Sequence, residues 1–178
     1  MFGLAELSFS PPQGITLVTS KGNTIANHQG GEVAAGKIQA FKDMCRQNQW
    51  NFRRHAGGLY NCAGLIWASR RTGISQTEDW RRILADDGYR PTSRPQIDDL
   101  VLYRDVDDNT YLHVARIVSF KPGLTPESEL VPVVLSKWGH DLGECFHLAR
   151  EHRMPGTYNV AEEFWTERPK NERNPATT

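Results

Sequence analysis

The chain has 178 residues, 38% of them hydrophobic and 24% charged, which is the composition of an ordinary folded domain rather than of a disordered or membrane-embedded chain. Its 21 basic residues are balanced by 21 acidic ones, so it lacks the positive field on which non-specific nucleic-acid binding depends. No apolar run approaches the ~18 residues of a spanning helix, and residues 1–12 lack the basic start and apolar stretch of a secretory signal, so the expectation is a cytoplasmic protein unless a specialised system exports it.

In chain order, residues 1–31 are rich in Gly, Ser, Pro, Asn and Gln, with one strand-like run at 15–19 before a Lys21-Gly22-Asn23 turn signal. This stretch is expected to be an arm or hairpin packed on a domain that spans 32–168. Between 32 and 47, Ala34, Ile38, Phe41 and Cys45 recur at helical spacing and predict an amphipathic helix with Cys45 on its buried stripe. Gly57-Gly58 leads into Tyr60-Asn61-Cys62-Ala63-Gly64-Leu65-Ile66-Trp67, which predicts a short helix opened by Cys62, with Arg70 and Arg71 in its last turn and Gly73 at its stop. Ser75 and Glu78 have capping-box spacing, and Trp80, Ile83 and Leu84 give the next helix an apolar face that ends near Gly88.

Beyond Pro95 the pattern turns to strands, at 100–103, 111–120, 130–136 and 144–148, separated by turn signals such as Asp107-Asp108-Asn109 and Lys121-Pro122-Gly123. Helices first and strands second is an α+β order, and the expected arrangement is a sequential antiparallel sheet of about four to six strands under the helices. Residues 169–178 are polar, with two prolines and no apolar anchor, and are expected to form a disordered tail.

Three cysteines, Cys45, Cys62 and Cys145, make no CxxC pair and no even disulfide set, so each thiol needs its own explanation. A thiol in the first turn of a helix lies near unsatisfied N–H groups and the positive end of the helix dipole, which favours thiolate. A nucleophilic thiolate also needs a base that takes its proton and returns it to the leaving group, and histidine suits that work near neutral pH. Cys62 is therefore the candidate nucleophile, with His113 at the start of a predicted strand as its base.

Asn61-Cys62-Ala63-Gly64-Leu65 resembles the Asp-Cys-Ser-Gly-Leu helix start of NlpC-type cysteine peptidases. Asp98-Asp99-Leu100-Val101-Leu102-Tyr103 and His113-Val114-Ala115-Arg116-Ile117 resemble that family's Gly-Asp-Leu-Val-Phe-Phe and His-Val-Gly-Ile strands, in the same order. Here Asn61 stands for the acid, Ala63 for Ser, Asp98 for Gly and Ala115 for Gly. The resemblance implies a papain-like, NlpC-type fold and hydrolysis of amide bonds in peptide or peptidoglycan-like substrates through a thioester acyl-enzyme. It implies no cofactor or metal, and neither nucleic acid nor membrane is an expected partner.

Such sites use a third, polar residue to orient the histidine and fix its tautomer. A hairpin folded about residues 121–128 sets Ser136 opposite His113; a one-residue slip presents Lys137 instead, and His147 on the following strand is the chemically stronger orienter. The N–H of Cys62 would contribute to an oxyanion hole. Two other readings stand beside the hydrolase: a papain-like binding module without turnover, and a metal-dependent enzyme that uses His140, Cys145, His147 and His152.

Overall fold

The computed structural model describes residues 14–55, 57–123, 130–151 and 159–169. The expected tail at 169–178 lies, apart from Pro169, outside the described residues, as do residues 1–13 of the expected arm and His152. Among the described residues, three α-helices, α1 (Ala35–Gln47), α2 (Cys62–Trp67) and α3 (Thr77–Asp86), accompany a sheet of seven antiparallel strands. The strands are β1 (Asn51–Arg54), β2 (Arg90–Pro91), β3 (Leu100–Asp105), β4 (Tyr111–Lys121), β5 (Val131–Lys137), β6 (Glu144–Leu148) and β7 (Val160–Thr166), in the spatial order β1-β6-β5-β4-β3-β7-β2. The fold is therefore α+β.

Only β3 to β6 form the sequential run that the sequence predicts. The expected four to six strands become seven because β1 adds to the β6 edge, and β7 inserts beside β3 with the two-residue β2 outside it. Leu100, Val101, Leu102 and Tyr103 of β3 are all buried, since both faces of this strand are covered. One face carries Leu100, Leu102, Val114 and Leu135 and packs on Leu65 and Ile66 of α2 and on Trp80, Ile83 and Leu84 of α3. The other face carries Val101, Tyr103, Ala115, Ile117 and Val134. Farther along the sheet, Phe41 and Cys45 of α1 close over Cys145 of β6 together with Trp50 and Trp138.

The arm enters this core through Ile25, and a bridge between Val18 and Thr24 closes the small hairpin around Gly22. Gly22 has φ +82°, a conformation that glycine adopts at little cost. Thr19 and Asn23 donate to the Asp86 carboxylate, each at 2.7 Å, which ties the arm to the C-terminal end of α3.

Several local expectations are corrected. α2 stops at Trp67 instead of running to Gly73, because Ser69 (φ 50°) and Arg70 (φ 66°) turn left-handed and swing Arg70 back onto Glu144. The capping box at Ser75 is not used: α3 starts at Thr77 behind Gln76 with no side-chain cap, and the Ser75 hydroxyl lies 3.5 Å from the Asn61 amide nitrogen instead. The β4–β5 register also differs from the expected one. Arg116 pairs with Leu135, so Ser136 comes opposite Ala115 rather than His113, and a bulge follows between Ile117 and Ser119. At Arg116 and Ile117 the slip is two residues, which leaves side chains at that end on their expected face; beyond the bulge it is three.

Candidate active site

Asn61 determines how Cys62 is presented. Its Oδ1 accepts from the N–H of Gly64 at 3.0 Å, which caps α2, and from the N–H of Ile74 at 3.1 Å. Its Nδ2 donates to the Ile74 carbonyl at 2.8 Å. One amide thus caps the helix and ties its start to the returning chain. Gly64 permits that return, because a Cβ there would run into the Thr72 carbonyl oxygen.

An ionic cluster around the buried Glu144 lies behind this turn. Tyr60 donates its hydroxyl proton to Glu144 Oε1 at 2.5 Å, Arg70 Nε donates to the same oxygen at 2.7 Å, and Arg53 pairs with Oε2. Burial alone would push Glu144 up, but hydrogen bonds from Arg70 and Tyr60, the Arg70 charge and the Arg53 hydrogen bond outweigh it and hold the carboxyl at about 2. Lys137 is also fully buried. Its ammonium donates to the carbonyls of Gly139, His140 and Leu142 at 2.9, 3.0 and 2.6 Å and lies 4.8 Å from the Tyr60 ring centre. Burial lowers it to about 8 against the opposing charges of Glu144, Cys62 and Asp141.

Cys62 is buried at 5% exposure. Burial pushes its thiol up to about 11, while the N–H groups of Val114, Ala63 and Cys62 itself, and the charge of Lys137, pull the other way. The helix start therefore favours thiolate as expected, but desolvation is the larger effect and the resting group is the thiol. The proximity of the Val114 N–H sets the sulfur against the peptide that joins His113 to Val114.

Strand alternation sends His113 to the face opposite Val114, where its ring stacks on the Trp138 indole with centroids 4.6 Å apart and planes 8° from parallel. His113 Nε2 and Ser136 Oγ are 3.2 Å apart, and Ser136 Oγ is 2.8 Å from His147 Nε2. His147 Nδ1 in turn lies 2.8 Å from the Leu148 carbonyl oxygen. All three side chains are buried, and Trp50 stacks on Trp138 with centroids 5.5 Å apart, roofing the row.

The structure thus brings His113, Ser136 and His147 together, and two of the three candidates for the orienting position belong to one chain of hydrogen bonds. Lys137 does not join them, since it leaves β5 on the side of Tyr60 and Cys62. Among the described residues, no hydrogen bond joins the Cys62 thiol to the His113 ring; the two flank the same stretch of β4, where the β4–β5 pairing ends at Arg116 and Leu135.

The described residues of the metal reading, His140, Cys145 and His147, disperse. His140 Nδ1 donates to the Gly58 carbonyl at 2.9 Å, Cys145 turns to Cys45, and no group of three or more His, Cys, Asp or Glu among the described residues is gathered to hold a metal ion. Sequence reasoning missed Trp138 as the cover of His113 and Glu144 as the anchor of Tyr60 and Arg70. For Trp138 the signal was its position two residues beyond Ser136, which places both on one run of chain at the relay. A scan against protein-family models, a search of curated proteins and a search of solved structures each returned no match to this chain.

Proposed function

We propose that this chain is a cysteine-dependent hydrolase of amide bonds with a papain-like, NlpC-type arrangement, in which Cys62 is the nucleophile, His113 its general base and Ser136 the residue that orients His113. One observation carries the reading: a helix-opening thiol stands at the β4 peptide of a histidine whose far ring nitrogen is already engaged by a buried hydroxyl, 3.2 Å away.

In the reaction, the His113 ring and the Cys62 thiol, which among the described residues make no hydrogen bond at rest, must first close on one another beyond the end of the β4–β5 pairing. The S–H proton then passes to His113 as sulfur attacks the substrate carbonyl carbon. The carbonyl oxygen takes up negative charge, and the N–H of Cys62 is available to stabilise it. Collapse of the tetrahedral adduct breaks the C–N bond, and His113 returns the proton to the departing amine. Water, deprotonated by His113, then cleaves the thioester and restores the thiol. Because burial holds the resting thiol near 11, proton removal accompanies attack rather than preceding it.

The test uses an activated acetyl ester, p-nitrophenyl acetate, with intact-mass and peptide mapping. The expected product is an acetyl group on Cys62 that hydroxylamine removes, with no adduct in Cys62→Ala and acylation on the order of 100-fold slower in His113→Ala. Acylation that maps to another residue, or that survives Cys62→Ala, overturns the proposal. A second reading, a binding module without turnover, is favoured by the buried thiol with its raised pKa and by the lack of a direct thiol–imidazole hydrogen bond among the described residues. A folded parent protein that forms no acyl adduct at any pH from 6 to 10 selects that second reading.

A further inference from the structure

The row His113, Ser136, His147, Leu148 C=O carries a direction. A backbone carbonyl only accepts, so the 2.8 Å contact between His147 Nδ1 and the Leu148 oxygen requires the proton on Nδ1. A neutral His147 then has a lone pair on Nε2, and the Ser136 hydroxyl, 2.8 Å away, donates to it. With its one proton directed there, Ser136 Oγ can only accept at 3.2 Å from His113 Nε2, which requires the His113 proton on Nε2. The lone pair of His113 is then on Nδ1.

We infer that His147 is a positioning residue: anchored by the Leu148 carbonyl, it orients the Ser136 hydroxyl and thereby holds His113 in the tautomer whose Nδ1 can accept a proton. This rests on the reading of His113 as the base. Nothing in it requires His147 to touch substrate or thiol. The surroundings of His147 keep it neutral. It is 3% exposed and lies 5.0 Å from the Trp50 ring and 5.5 Å from the Trp138 ring. Burial lowers its pKa, opposed by its bond to Leu148 and by the charge of Glu151, whose carboxylate accepts from the Leu148 N–H at 3.1 Å. A protonated His147 would donate from Nε2 to Ser136, reverse both bonds and move the His113 proton to Nδ1.

The direct measurement is 15N–1H correlation of the histidine side chains in the full-length protein at pH 7.5. The expected pattern is Nδ1–H on His147 and Nε2–H on His113. The opposite tautomer on His147 overturns the inference whether or not the protein hydrolyses anything, so its failure is distinguishable from failure of the hydrolase reading.

The variant His147→Phe keeps an aromatic ring beside Trp50 and Trp138 but removes the acceptor. Ser136 then turns its proton to His113 Nε2, the Nε2–H signature of His113 is lost, and acetylation of Cys62 slows by about tenfold, the equivalent of one buried hydrogen bond. An unchanged His113 signature in folded His147→Phe overturns the inference. Should that variant not fold, Ser136→Ala is read in the same way: it interrupts the row while leaving His147 on Leu148, and retention there of the parent's His113 tautomer likewise overturns it.

Discussion

Asn61 shows what a single side chain decides at this site. An aspartate at this position could still cap α2 through the Gly64 N–H and accept from the Ile74 N–H, but it has no proton for the Ile74 carbonyl, to which Asn61 Nδ2 now donates at 2.8 Å. Asn61→Asp therefore sets a buried carboxylate oxygen against a carbonyl oxygen. The expected loss is about 2 kcal/mol in urea unfolding, within the range for a buried polar group deprived of its partner. Asn61→Ala, which loses the cap as well, should cost at least as much. Equal stability of Asn61→Asp and parent would mean that the amide's donor has no energetic role. The departure from the acidic residue of the resembling motif thus has a local cause in the returning strand of chain.

At the scale of elements, the crossing of α2 with the chain at residue 72 depends on the missing side chain of Gly64. Gly64→Ala forces either the helix or the Thr72 carbonyl aside. Backbone displacement of this kind typically costs ~1–3 kcal/mol, so a clear drop in thermal midpoint is expected, together with loss of Cys62 acylation in whatever fraction stays folded. A variant as stable and reactive as the parent would show that the crossing is loose.

The same scale explains what could be read from the chain. β3 to β6 were legible because their apolar runs are bounded by turn residues, and Cys62 was legible as a helix start because helix formers follow Asn61. The pairing of β4 with β5 was predicted two residues out of register, yet Ser136 still reaches His113, since a shift of two preserves the face and leaves the hydroxyl diagonal to the imidazole. His147 reaches Ser136 for a related reason: it pairs with Val134, two residues from Ser136 and on the same face. β1 and β7 were not legible. β1 is exposed at the sheet edge, and β7 carries Glu162 and Glu163 at its centre, so neither shows the alternation of a half-buried strand.

Across the whole molecule, the carboxylate of Glu144 connects parts of the chain that are far apart in sequence. Arg53 comes from β1, Tyr60 from the approach to α2, Arg70 from its exit and Glu144 from β6, so the helix that Cys62 opens is fastened to the sheet by charge as well as by apolar packing. Glu144 is fully buried, whereas Arg53 and Arg70 keep 37% and 31% of their side chains exposed, so removing its charge leaves two partly solvated guanidinium groups without a carboxylate. Its carboxyl is held at about 2 against an ordinary 4.5, a depressed value. The unfolded chain therefore binds the proton more tightly than the folded one, and the stabilisation is fully present above 4.5 and is lost as the pH falls toward 2. The difference amounts to about 3 kcal/mol, the same order as the loss measured when one member of a buried pair is removed. Glu144→Gln should accordingly lower urea stability at pH 7 by about 3 kcal/mol. The variant should also lack the part of the parent's acid destabilisation that falls between 4.5 and 2. Parallel stability curves for the two proteins across that window would instead mean that the carboxylate is no better held in the folded chain than in the unfolded one.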